Sequence, residues 1–114
     1  MRNKKLSELS MDFAVRIIHF CDDIKEHRSI VNQLERSATS IGANLREANY
    51  AQSKADFISK LQIALKECYE TEYWLELFQK AKIESAERIE ALSHDCGTLR
   101  RMLVASVNTA KDEP

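Results

Sequence analysis

Chemistry in this chain would have to come from its histidines, cysteines and carboxylates, or from a polar stripe formed by Ser37, Ser40, Asn44 and Glu47. His19-x-Cys21 and His94-x-Cys96 set an imidazole beside a thiol in sequence. On a helix, residues two apart point about 200° away from each other, so neither pair chelates an ion or forms a nucleophile–base couple. Both cysteines, like Cys68, fall at apolar positions of their segments, where a free thiol acts as a small hydrophobe. A di-metal carboxylate centre in a helix bundle needs Glu-x-x-His on two helices. His19, His27 and His94 have no Glu at that spacing, and Glu90 with His94 is a single pair of a kind common on solvated helices. Gly-rich phosphate loops and a GxSxG elbow are also missing. The residues therefore point to no catalytic, cofactor-binding or metal-ligating set, and to no small-molecule substrate.

Ser37, Ser40, Asn44 and Glu47 recur by threes and fours, which puts them in one sector of a helix. Two readings stand: a solvent-facing polar stripe, or a buried network reaching Glu67 or Glu70 on the next helix. The segment lacks the lysines that exposed helix positions favour, which supports the second. A buried network would have to be mutually hydrogen-bonded, and it would set helix register or a subunit contact rather than perform chemistry. Gly42, mid-helix beside small residues, suggests close backbone approach, since glycine there costs about 1 kcal/mol against alanine. Tyr69, Tyr73, Trp74 and Phe78 gather further along and suit an oligomer interface; base stacking would call for a basic groove around them. Arg36, Arg46, Lys54, Lys60, Arg100 and Arg101 are the candidate contacts if RNA or DNA is bound.

Elements that could position these groups are helical. The chain has 114 residues, 44% hydrophobic and 31% charged, which suits one globular domain spanning 1–114. Two glycines and one proline, the last residue, supply too few turns for a sandwich or barrel. A net charge of -1 lacks the basic excess of a dedicated binder of nucleic acid or anionic membrane. The opening MRNKKLSELSMDF has a signal peptide's positive start without its apolar run, and no segment approaches the roughly eighteen apolar residues of a membrane span. A cytoplasmic location with reduced thiols is the expectation, because Cys21, Cys68 and Cys96 are odd in number and widely spaced.

Apolar periodicity predicts helices over about 6–26, 30–51, 54–80 and 86–108. Leu6, Leu9, Phe13, Ile17, Phe20 and Ile24 form the first stripe, widened by Ala14, Ile18 and Cys21. Val31, Leu34, Ala38, Ile41, Leu45 and Ala48 form the second. The third carries Phe57, Leu61, Ala64, Cys68, Thr71, Leu75 and Phe78, with Ile58, Leu65 and Trp74 on a further face; the fourth carries Ile89, Leu92, Cys96, Leu99, Leu103 and Val107. Ser53-Lys54-Ala55-Asp56 reads as a capping box and Ser85 as an N-cap, while the NTAKDEP tail is expected to fray. Short connections between long helices predict an all-α, antiparallel up-down-up-down four-helix bundle.

Certain residues of the central helices also match a known pattern. They are Gln33-Leu34-x-Arg36-Ser37, Ser40-Ile41-x-Ala43-Asn44, Glu47-Ala48, Ser53 with Phe57, Leu61-x-Ile63-Ala64 and Glu70-Thr71-x-Tyr73-Trp74-Leu75. The combination resembles the four-helix bundle family of 23S ribosomal RNA intervening sequence proteins, to which the accessory variability determinant proteins of diversity-generating retroelements are related. The resemblance implies a bundle protomer that assembles into a ring-like homopentamer, and the residues themselves lead to the expectation of a non-enzymatic protein without a cofactor. Its retroelement branch implies a strongly basic protein that binds nucleic acid and a reverse transcriptase. This chain departs from that branch in charge: Lys54, Lys60, Lys66 and Lys80 are set against Asp56, Glu67, Glu70, Glu72 and Glu76.

Overall fold

Residues 4–113 are described by the computed structural model; residues 1–3 and 114 of the expected domain lie outside the described residues. Four helices follow in order: α1 (Lys4–Asp22), α2 (Arg28–Ala48), α3 (Lys54–Lys80) and α4 (Ala86–Asp112). Each helix packs on its sequence neighbours and α4 closes onto α1, so α1 and α3 are diagonal, as are α2 and α4. The result is an all-α four-helix bundle measuring 48 × 19 × 19 Å, the long axis exceeding the roughly 40 Å that the 27 residues of α3 span at about 1.5 Å per residue. Packing is most extensive between α2 and α3 and sparsest between α1 and α4.

The apolar stripes meet in one continuous core. Phe13, Ile17 and Phe20 of α1 are enclosed with Leu34 and Ile41 of α2, Leu61, Leu75 and Phe78 of α3, and Ile89, Leu99 and Leu103 of α4. Ile18 departs from its expected role: it is 40% exposed, because its position turns it out of the α1 stripe toward solvent. Ser10 takes a core place instead, its hydroxyl donating to Ser7 O at 2.9 Å and so satisfying a polar group inside the packing.

Helix ends differ from expectation where local hydrogen bonds override periodicity. The first helix stops at Asp22 rather than Glu26, because Ile24 folds back into the core and its N–H bonds Cys21 O at 3.1 Å. The Arg28 guanidinium then covers that end, donating to Ile24 O at 2.8 Å. The second helix ends at Ala48, short of 51. Within the described part of the tail expected to fray, α4 stays helical to Asp112, because Ala110 extends the buried stripe beyond Val107, while Pro114 lies outside the described residues.

Both serine caps form. Ser53 Oγ accepts from Asp56 N at 3.0 Å, while the Asp56 carboxylate reaches Gln52 N at 3.3 Å instead of the Ser53 amide. Ser85 Oγ accepts from Arg88 N at 3.4 Å. The α1–α4 seam gains polar ties: Arg16 pairs with Asp95, and Arg88 reaches Asp23 at 2.9 Å with its guanidinium 5.0 Å from the centre of the Phe20 ring.

The end of α3 is closed by a residue in an unfavourable conformation. Ile83 N bonds Phe78 O at 3.0 Å and Lys82 N bonds Gln79 O at 3.1 Å, the paired reverse bonds of a Schellman motif. Its left-handed position belongs to Lys82, at φ 57°, where glycine has no Cβ penalty. Lys82→Gly should therefore raise the unfolding free energy by about 1 kcal/mol in urea titration. An unchanged or lower value would show that the turn is not strained.

Candidate functional site

The polar stripe of α2 divides on folding. Ser37 is fully buried; Ser40 and Asn44 are half-buried; Glu47 is exposed. Ser37 Oγ donates to Leu34 O at 3.2 Å, and it lies 2.9 Å from Thr71 Oγ1 across the α2–α3 interface. Thr71 Oγ1 is also 2.8 Å from Glu67 O. Ser40 donates back to Arg36 O at 2.7 Å and the Asn44 amide to Ser40 O at 2.8 Å, so both serve their own helix. Glu47 pairs with Lys60 of α3 at 3.1 Å. The stripe is thus neither wholly exposed nor a buried network reaching Glu67 or Glu70: Ser37 alone is fully buried, Ser40 and Asn44 are half-buried, and Glu47 is exposed.

Glu67 and Glu70 join α2 through Arg36 rather than through the serines. Arg36 reaches Glu70 at 2.5 Å and Glu67 at 3.4 Å, and Trp74 Nε1 donates to the same Glu70 oxygen at 3.0 Å. These bonds hold the Glu70 carboxyl below its usual range, the Trp74 hydrogen bond first and Arg36 second. The same carboxylates, Glu70 foremost, raise the Arg36 pKa. Thr71 and Arg36 are the members that sequence reasoning missed. Thr71 sits in an apolar heptad position, and a polar residue in such a stripe was the available signal.

Among the candidate phosphate contacts, Arg36 and Lys60 are engaged as described and Arg100 is held by Glu72 at 2.8 Å. Lys54 donates to Glu113 O, and Arg101 reaches Thr98 Oγ1 at 3.3 Å. Arg46 lies apart from these, on the wall of a groove between α1 and α2. The six residues do not converge on one surface of free cations.

The aromatic group divides as well. Phe78 is a core residue, fully enclosed with its ring 6.3 Å from Phe20, and so leaves the proposed interface set. Trp74 is half-buried, with the Tyr73 ring edge-on at 5.0 Å. Tyr69 and Tyr73 stand 54% and 58% exposed. On the diagonal helix, Met11, Val15 and Ile18 are also exposed, a second apolar face. Beside it runs the α1–α2 groove, about 580 Å³, lined by Met11, Ala14, Ile18, Gly42 and Ala43. Close approach at Gly42 is real: a Cβ there would lie 3.2 Å from Ser10 Oγ.

Cys21, Cys68 and Cys96 are buried and unpaired. Burial pushes the Cys21 thiol up to about 12, and Cys96 is raised by its contact with Cys68 and by burial. Among the described residues no group of three or more His, Cys, Asp or Glu could hold a metal ion, and no helix is long and apolar enough to cross a membrane.

The depressed Glu70 pKa links the Arg36 clamp to pH. Its contribution is present above the unfolded carboxyl value of about 4.3 and is lost as pH falls through the lower folded value. Glu70→Gln should cost on the order of 1 kcal/mol at neutral pH, the clamp being partly exposed. The gap to the unaltered protein should close below about pH 4 in urea titrations. A gap independent of pH would mean that the carboxylate charge plays no part.

Comparison with known proteins agrees with this geometry. No curated protein matches the chain. The fold is similar to the crystal structure of a protein of unknown function from the S23 ribosomal protein family of Bacteroides thetaiotaomicron, with a TM-score of 0.85 and 42% identity. That likeness covers 90% of this chain and 97% of the other. The family described as 23S rRNA-intervening sequence protein matches residues 2–105, and the chain belongs to that family.

Proposed function

We propose that the protein is a non-enzymatic, cytoplasmic bundle whose work depends on assembly with copies of itself. The observation that carries this reading is the pair of apolar faces left outside a completed core: Met11, Val15 and Ile18 on α1, and Tyr69 and Tyr73 on α3. The core does not need these side chains, since every helix already buries its own stripe. Apolar residues grouped on one helix face mark an interaction surface more often than scattered ones do. The resemblance that names the family implies five copies in a ring.

Binding of RNA or DNA, alone or beside a reverse transcriptase, has less support. Arg36, Lys60 and Arg100 already face carboxylates, and a sequence-independent hold on phosphates draws its affinity from cations released for that purpose. Static light scattering at micromolar concentration should give a mass several times the 13.1 kDa of one chain, five times if the family's ring is shared. A mass of one chain would overturn the proposal.

A further inference from the structure

We infer that copies of this chain join head to tail, the outward face of α1 on one copy docking against the outward face of α3 on the next. The inference rests on the self-assembly proposed above and specifies which surfaces meet. It starts from the dissimilarity of the two faces. On α1, Glu8, Met11, Asp12 and Val15 follow one another at helical spacing and are all exposed, so the face is aliphatic with an acidic edge. On α3, Lys66, Tyr69 and Tyr73 do the same, so that face is aromatic with a basic residue one turn from the first tyrosine. Glu8, Asp12 and Lys66 have no ion-pair partner among the described residues. Glu70, beside Lys66, is already engaged by Arg36 and Trp74.

Charge and shape both favour unlike faces meeting. Against its own copy across a two-fold axis, the α1 face would oppose Glu8 and Asp12 to themselves, and the α3 face would oppose Lys66 to itself. Against each other, the acidic edge meets the lysine and the apolar centres meet, an arrangement that also selects register. The α1 side offers a hollow as well: the groove of about 580 Å³ floored by Ala14, Gly42 and Ala43, where small side chains leave room for a ring. The tyrosines of α3 are exposed knobs of suitable size. Lys4 lies one turn before Glu8 and Arg46 lines the groove, so the acidic edge is confined to the middle of α1.

Topology then sets the type of assembly. The helices are diagonal, so their outward faces lie on opposite sides of the bundle and one copy can use both at once. Pairing of unlike faces in this way is heterologous: it closes a ring where the rotation between copies permits and otherwise extends as a filament, whereas two-fold pairing stops at a dimer.

The test blocks one face at a time. Val15→Asp spoils the α1 face and Tyr73→Asp the α3 face; both positions are exposed, and circular dichroism with urea unfolding checks that each variant folds. Each variant alone should self-associate at least tenfold more weakly than the unaltered chain. Mixed in equal amounts, they should form a one-to-one pair and nothing larger by native mass spectrometry, since the pair retains one intact junction and two blocked faces. Asp12→Lys and Lys66→Glu should each weaken assembly, and the double variant should recover it.

If both blocked variants keep the unaltered mass, or mixing yields no new species, the face assignment is overturned while self-assembly itself still stands. If the unaltered chain has the mass of one copy, both the assignment and the reading beneath it fail.

Discussion

Placement of α2 against α3 turns on one polar contact in the buried middle of their interface, the 2.9 Å approach of Ser37 and Thr71 hydroxyls. Both residues are fully buried, and each hydroxyl also reaches a carbonyl of its own helix, so a slip of either helix would lose the contact between them without stranding a hydroxyl. The loss is about 0.5–1.5 kcal/mol, the net contribution of one hydrogen bond. Apolar side chains tolerate several registers because dispersion contacts are nondirectional, whereas a hydroxyl pair accepts one. Arg36 reinforces the same alignment from the rim by reaching Glu67 and Glu70, and Lys60 does so further along by meeting Glu47. This seam is also the most extensively packed of the bundle. Its fixity allows α1 and α4 to be held mainly by core packing and two ion pairs.

A rigid α2–α3 pair gives the outward faces a constant geometry. The proposed assembly through α1 and α3 would require both faces to keep their angle around the bundle, because in a closed ring an error at one junction would accumulate. Polar groups that fix register and apolar groups that remain outside therefore do complementary work in the same molecule. None of the buried thiols contributes to this. Burial keeps all three from attack, and the raised pKa of Cys21 and Cys96 disfavours the thiolate on which cysteine chemistry depends.

Much of this was legible in the sequence. The stripes of α2 and α4 are apolar at every third or fourth residue and bury as their spacing predicts, and Ser53 and Ser85 cap the helices they precede. Gly42 signalled close approach, and Ser10 stands opposite it. Legibility failed where a decision depended on tertiary partners. Ile18 fits the helical pattern of a core residue, yet only the location of α2 and α4 decides that it faces out. Phe78 looks like its aromatic neighbours in sequence, but its angular position, shared with Leu75 and Thr71, turns it inward. Arg36 reads as a free cation until its distance from two glutamates on α3 is known. Charge composition cannot reveal such pairing, because net charge counts residues and not neighbours.

The chain is a four-helix bundle of the 23S rRNA-intervening sequence protein family, and what this bundle must keep fixed is the register of α2 against α3. In that register the buried hydroxyls of Ser37 and Thr71 act as a pair. A double-mutant cycle on urea unfolding with Ser37→Ala, Thr71→Val and both together measures that directly. A coupling energy of about 0.5–1 kcal/mol, with the double variant less costly than the two single effects combined, is the predicted result. Strict additivity would contradict it and leave the register of α2 and α3 to apolar packing alone.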